Sequence, residues 1–105
     1  MIKPKLNDEG FLIDHNQWDE NIAKALAQQE NIVLTSAHFR LLHSARKYYQ
    51  LFDLEPEMRP FLKWLKQNNA STENISSMSI LQYFPGSSTK LLCKIAGLPK
   101  PKSCL

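Results

Sequence analysis

At 105 residues, 43% hydrophobic and 22% charged, the chain has the size and balance of one small globular domain, with little room for a deep, self-contained catalytic pocket. Its net charge of +3 is uneven: the first 73 residues net −1, and Lys90, Lys94, Lys100 and Lys102 add a local +4 after the last acid, Glu73. No apolar run approaches the ~20 residues of a membrane span, and the opening MIKPKLNDEG lacks an apolar signal segment, so the expected location is the cytoplasm, away from membranes.

Asn7-Asp8-Glu9-Gly10 is a turn signal, and Phe11-Leu12-Ile13 after it reads as a short strand. Residues 2–6 could pair with it as a hairpin, with Pro4 restricting that strand to an edge. Asn16 is expected to cap a first helix, because Trp18, Ile22, Ala25 and Leu26 share one helical face. Glu30-Asn31 ends it. Thr35 caps a second helix over 36–52, carried by Phe39, Leu42, Ala45, Tyr49 and Phe52. Met58, Phe61, Leu62 and Leu65 mark a third, with Pro60 in its first turn, where a missing N–H costs little. Residues 67–77 are polar and read as a loop. Residues 78–84 make a fourth short helix ended by Pro85-Gly86.

Ser87 or Ser88 caps a fifth helix with Leu91, Leu92, Ile95 and Ala96 on its buried side, and Gly97 stops it. Pro99 and Pro101 then forbid helix. The expected fold is mainly α: a small orthogonal domain of about five helices with a short N-terminal β-hairpin. The expected division is a body over 1–97 and a flexible arm over 98–105, whose removal should leave thermal stability nearly unchanged.

Most familiar chemistries find no support. His38 and His43 are five residues apart, about 140° around a helix, and cannot form an i,i+4 metal pair; His15 stands near a turn, and all three histidines read as structural or solvated. Three glycines make no phosphate loop. Trp18, Phe39, Tyr48, Tyr49, Phe61 and Trp64 fall at helical spacing and read as core. No metal or cofactor is implied.

The two cysteines remain. Two are too few for a disulfide-stapled secreted fold or a four-cysteine zinc site. Cys104 follows Pro-Lys-Pro, where a core role has nothing to pack under it. Lys100 and Lys102 favour its thiolate, and the nine residues 97–105 could reach on the order of 30 Å if extended. Gly97, Pro99, Lys100, Pro101 and Lys102 form this binding arm. Cys93 lies eleven residues earlier on the fifth helix, either as a small half-buried core residue or as a resolving thiol for Cys104 across a cheaply closed loop.

The end, CKIAGLPKPKSCL, resembles the C-terminal signature of the DsrC/TusE sulfur-relay family, an AGLPKP arm with a penultimate cysteine. Weaker pieces occur in the same order: Asp8 to Leu12, Trp18, Leu34-Thr35 with His38-Phe39, Pro56 to Leu62 with Arg59, and Phe84-Pro85-Gly86-Ser87. The resemblance implies a sulfurtransferase that carries sulfane sulfur as a persulfide on Cys104. In TusE-like members the donor is a TusBCD-like complex and the acceptor an MnmA-like thiouridylase that 2-thiolates the tRNA wobble uridine, so tRNA is met only indirectly. In DsrC-like members the partner is dissimilatory sulfite reductase, and a pair equivalent to Cys93 and Cys104 acts together. Phe84 to Ser87 and Arg59-Pro60 resemble the TusE-like form; Cys93 matches the DsrC-like one. Arg59, Lys90 and Lys94 are the candidate partner-facing cations. Two other classes compete: a basic nucleic-acid-binding domain, opposed by a tail without Arg or aromatic residues, and a redox sensor using only a Cys93–Cys104 disulfide.

Overall fold

The computed structural model describes residues 5–68 and 76–101. Five α-helices follow a 3₁₀ turn at His15–Gln17: α1 Glu20–Gln29, α2 Ser36–Phe52, α3 Met58–Asn68, α4 Ser77–Tyr83 and α5 Ser88–Ile95. α5 packs against both α1 and α2, and α3 lies on α2. Phe11, Phe61, Phe84, Leu26, Leu42, Leu65, Ile80, Leu92 and Ile95 are fully buried, so every α-helix and the N-terminal segment contribute to one core. Among the described residues no helix is long and apolar enough to cross a membrane.

The second helix matches its expected bounds. His38 secures its start: Thr35 donates its backbone N–H to Nδ1 at 3.1 Å, and the Thr35 hydroxyl lies 2.8 Å from the same nitrogen. Nε2 lies 3.1 Å from the Tyr83 carbonyl, which can only accept. The ring is thus neutral, with its proton on Nε2, and joins the start of α2 to the end of α4. The structural reading of His38 holds.

The first helix starts later than expected. Asp19, not Asn16, is its N-cap, and Asp19 Oδ1 accepts from Ile22 N–H at 2.8 Å. Residues 15–17 instead form the 3₁₀ turn, with Asp14 accepting from Asn16 N–H at 3.0 Å. Trp18 stands between the two in extended backbone. Its indole leaves the α1 face to meet the end of α5, a destination that helical spacing could not disclose.

The expected N-terminal hairpin reduces, among the described residues, to one antiparallel bridge between Leu6 and Leu12. Asn7 organises the turn: its side chain accepts from Glu9 N–H at 3.0 Å and Phe11 N–H at 2.9 Å. The rest of the expected first strand, through Pro4, lies outside the described residues. Ser87 occupies the cap position of α5 without a side-chain cap, while buried Ser88 donates its hydroxyl to the Phe84 carbonyl at 2.6 Å.

Candidate functional site

The chemistry expected of the last residues depends on how the chain leaves α5. Gly97 has φ +74°, Gly97 N–H donates to the Lys94 carbonyl at 3.2 Å, and Leu98 N–H donates to the Cys93 carbonyl at 2.9 Å. This pair of bonds is a Schellman closure, and the apolar contact that accompanies it is supplied by buried Leu98 and Cys93. α1 closes the same way with Asn31 at φ 59°. Asparagine would not serve at 97, because a Cβ there would sit 2.5 Å from Trp18 Cδ1. The expected stop at Gly97 is therefore also a close approach between backbone and indole.

Trp18 Nε1 donates to the Ile95 carbonyl at 2.8 Å. Arg46, from α2, donates to the Ala96 carbonyl at 2.8 Å and to the His15 carbonyl at 3.0 Å, with its guanidinium carbon 4.5 Å from the centre of the Trp18 ring. A cation thus meets the carbonyl end of α5, where the helix dipole favours it. Burial lowers the guanidinium pKa from its usual value. Sequence reasoning missed Arg46, since one arginine on an amphipathic helix carries no local signal.

Cys93 is fully buried, with Sγ 3.8 Å from the Pro56 carbonyl oxygen. Burial, and then the charges of Glu55 and Glu57, push its thiol well above the usual cysteine range. In this packing it is a protonated core residue.

The start of the arm is packed. Leu98 is 1% exposed, Pro101 is buried, and Pro99 and Lys100 are half-buried. Lys100 Nζ lies 2.7 Å from Glu9 Oε2, and this hydrogen bond, more than the fields of Lys100 and Lys90, lowers the Glu9 pKa. Residues 98–101 thus pack against the body. Lys94, expected to face a partner, pairs with Glu30 at 2.6 Å with its side chain 13% exposed, and runs beneath Gly10. Lys90 is half-buried and Arg59 is exposed on α3. The structure gathers Lys94, Gly97, Pro99, Lys100 and Pro101 near the end of α5. Lys102 and Cys104 lie outside the described residues.

Comparisons with known proteins agree along the whole chain. The family described as DsrC like protein matches residues 2–105. The Haemophilus influenzae protein named sulfurtransferase TusE homolog is 34% identical over 104 residues, 99% of this chain and 94% of the relative. The Pectobacterium atrosepticum sulfurtransferase TusE is 37% identical over 97 residues, covering 92% and 88%. The solution structure of Allochromatium vinosum DsrC superposes with a TM-score of 0.86 at 30% identity, covering 99% of this chain and 92% of that one. The oxidised gamma subunit of dissimilatory sulfite reductase (DsrC) from Archaeoglobus fulgidus gives 0.78 at 33%, covering 99% and 94%.

Proposed function

Because the chain belongs to the DsrC-like family, we propose that it is a sulfurtransferase that carries sulfane sulfur on Cys104 and delivers it, in a TusE-like relay, toward 2-thiolation of the tRNA wobble uridine. The observation that carries sulfur transfer is the nearly full-length likeness to proteins named sulfurtransferase TusE, at 34–37% identity. The step needs no outside oxidant. The Cys104 thiolate attacks the terminal sulfur of a donor persulfide; the donor S–S bond breaks, the donor leaves as a thiolate, and Cys104 holds S–SH. An acceptor thiolate then repeats the attack on that outer sulfur. The donor is a TusBCD-like complex and the acceptor an MnmA-like thiouridylase.

Burial of Cys93 supports a one-cysteine cycle. A second reading, partnership with dissimilatory sulfite reductase through a Cys93–Cys104 pair, has the structural likeness to DsrC proteins in its favour. In that reading α5 must open to present Cys93. Intact-mass spectrometry after incubation with a persulfide donor tests the assignment: the protein should gain ~32 Da, one sulfur atom, removable by reductant. Cys104→Ser should abolish the gain; full loading of that variant would refute the carrier role. Cys93→Ala should load normally and still restore tRNA 2-thiolation in cells lacking their own carrier. Loading without restoration, where the wild-type protein restores, favours the two-cysteine reading.

A further inference from the structure

The last two carbonyls before Gly97 are both taken by side chains distant in sequence: Ile95 by Trp18 and Ala96 by Arg46. The second arm of the Arg46 fork holds the His15 carbonyl, so one guanidinium ties the end of α5 to the 3₁₀ turn that leads into Trp18. Its position over the indole closes the arrangement into a ring of contacts around Gly97. We infer that Arg46 is a positioning residue for sulfur transfer: it fixes the direction in which the segment bearing Cys104 leaves the body. The inference rests on the reading of Cys104 as the carrier.

Stability alone is a weak reason for this arrangement. Desolvating a guanidinium carries a penalty that an apolar side chain of similar volume would avoid. What the guanidinium adds is direction, since its planar fork holds two carbonyls at a fixed separation and stacks flat on an aromatic face. A methionine could fill the space but would leave the Ala96 and His15 carbonyls without the donor that ties the end of α5 to the 3₁₀ turn. A misdirected carrier thiol remains reactive in solution yet meets a partner's cleft less often in a productive pose.

Pulsed electron paramagnetic resonance on the full chain tests this directly. Nitroxides are placed on Cys104 and on the thiol introduced by Lys24→Cys, at an exposed position of α1. Arg46→Met should at least double the width of the distance distribution. Arg46→Lys, which keeps the charge but reaches only one carbonyl, should fall between it and wild type. If Arg46→Met fails to fold, Arg46→Lys decides the matter alone. An unchanged width in the folded variant, even with a lower melting temperature, assigns Arg46 to stability only and overturns the proposal. Loading of Cys104 by glutathione persulfide should stay within twofold of wild type, because it requires only an accessible thiol. Wild-type protein that does not load would sink the carrier reading, whereas the distance widths would still report on Arg46.

Discussion

Cys93 and His38 are both titratable groups that the core holds in their neutral forms. For Cys93 the result is a thiol held protonated: the thiolate that would act as nucleophile is disfavoured by burial and by Glu55 and Glu57. For His38 the result is a dependence of stability on pH. Burial lowers its pKa, and its hydrogen bond to the Tyr83 carbonyl offsets this only in part. The unfolded chain therefore takes up a proton on His38 at a higher pH than the folded protein does. The stabilisation is fully present above the unfolded histidine pKa of about 6.5 and declines as pH falls through it. A proton on Nδ1 would also displace the Thr35 N–H that caps α2. Urea unfolding should show a lower midpoint at pH 5 than at pH 7.5. His38→Gln should be less stable at pH 7.5 and show a smaller difference between the two conditions. An equal pH difference in that variant would move the effect to other groups.

At the scale of elements, α5 depends on a terminus that only glycine fits. Gly86 and Gly97 both have positive φ, +91° and +74°, but a Cβ at 86 meets nothing within 4 Å, whereas one at 97 would run into Trp18. Gly86→Ala should cost the backbone strain alone, about 1–3 kcal/mol. Gly97→Ala should cost clearly more, because the indole must move and loosen its bond to Ile95. Equal urea midpoints for the two variants would mean that the indole gives way freely. This contrast also separates what was readable from what was not. Gly97 as a stop, Thr35 as a cap and the bounds of α2 were legible because they are local: spacing, caps and glycine act within a few residues. The start of α1 was misread because Trp18 fits the apolar spacing of a helix while its partner carbonyl lies 77 residues away. Arg46 was invisible for the same reason, its two carbonyls being 50 and 31 residues distant. The residue types of the arm were plain in the sequence; the seat that receives them is assembled from the N-terminal turn, α1, α2 and α5, which only folding brings together.

For the whole molecule, the question is where the body ends and the segment bearing Cys104 begins. Composition placed that boundary after Gly97, because prolines and lysines suggest solvated chain. The fold packs the first residues beyond it against the body. Leu98 is 1% exposed within the main core, its N–H completes the closure of α5, and Pro101 is buried as well. The Glu9–Lys100 pair adds a tether, though an exposed ion pair contributes little by itself. Half of the apparent +4 is also spent inside the molecule, since Lys94 and Lys100 each face a glutamate. The basic stretch therefore works partly as a set of internal fasteners, which weakens the nucleic-acid reading further. Comparing two truncations isolates residues 98–101 from everything beyond them. A chain ending at Gly97 should be less stable than one ending at Pro101 by at least about 2 kcal/mol, the scale of one fully buried leucine. Both should fail to gain sulfur from a persulfide donor, having lost Cys104. Coincident unfolding midpoints would show that residues 98–101 contribute nothing to the body, restoring the boundary at Gly97. A gap of the expected size would instead place the base of the segment bearing Cys104 at Pro101. Only Lys102 and Ser103 would then separate this base from Cys104, three residue steps with a reach on the order of 10 Å. On the proposed carrier role of Cys104, so short a lever requires a partner that brings its own sulfur up to the α5 end of this protein, where Arg46 holds the last carbonyl before Gly97.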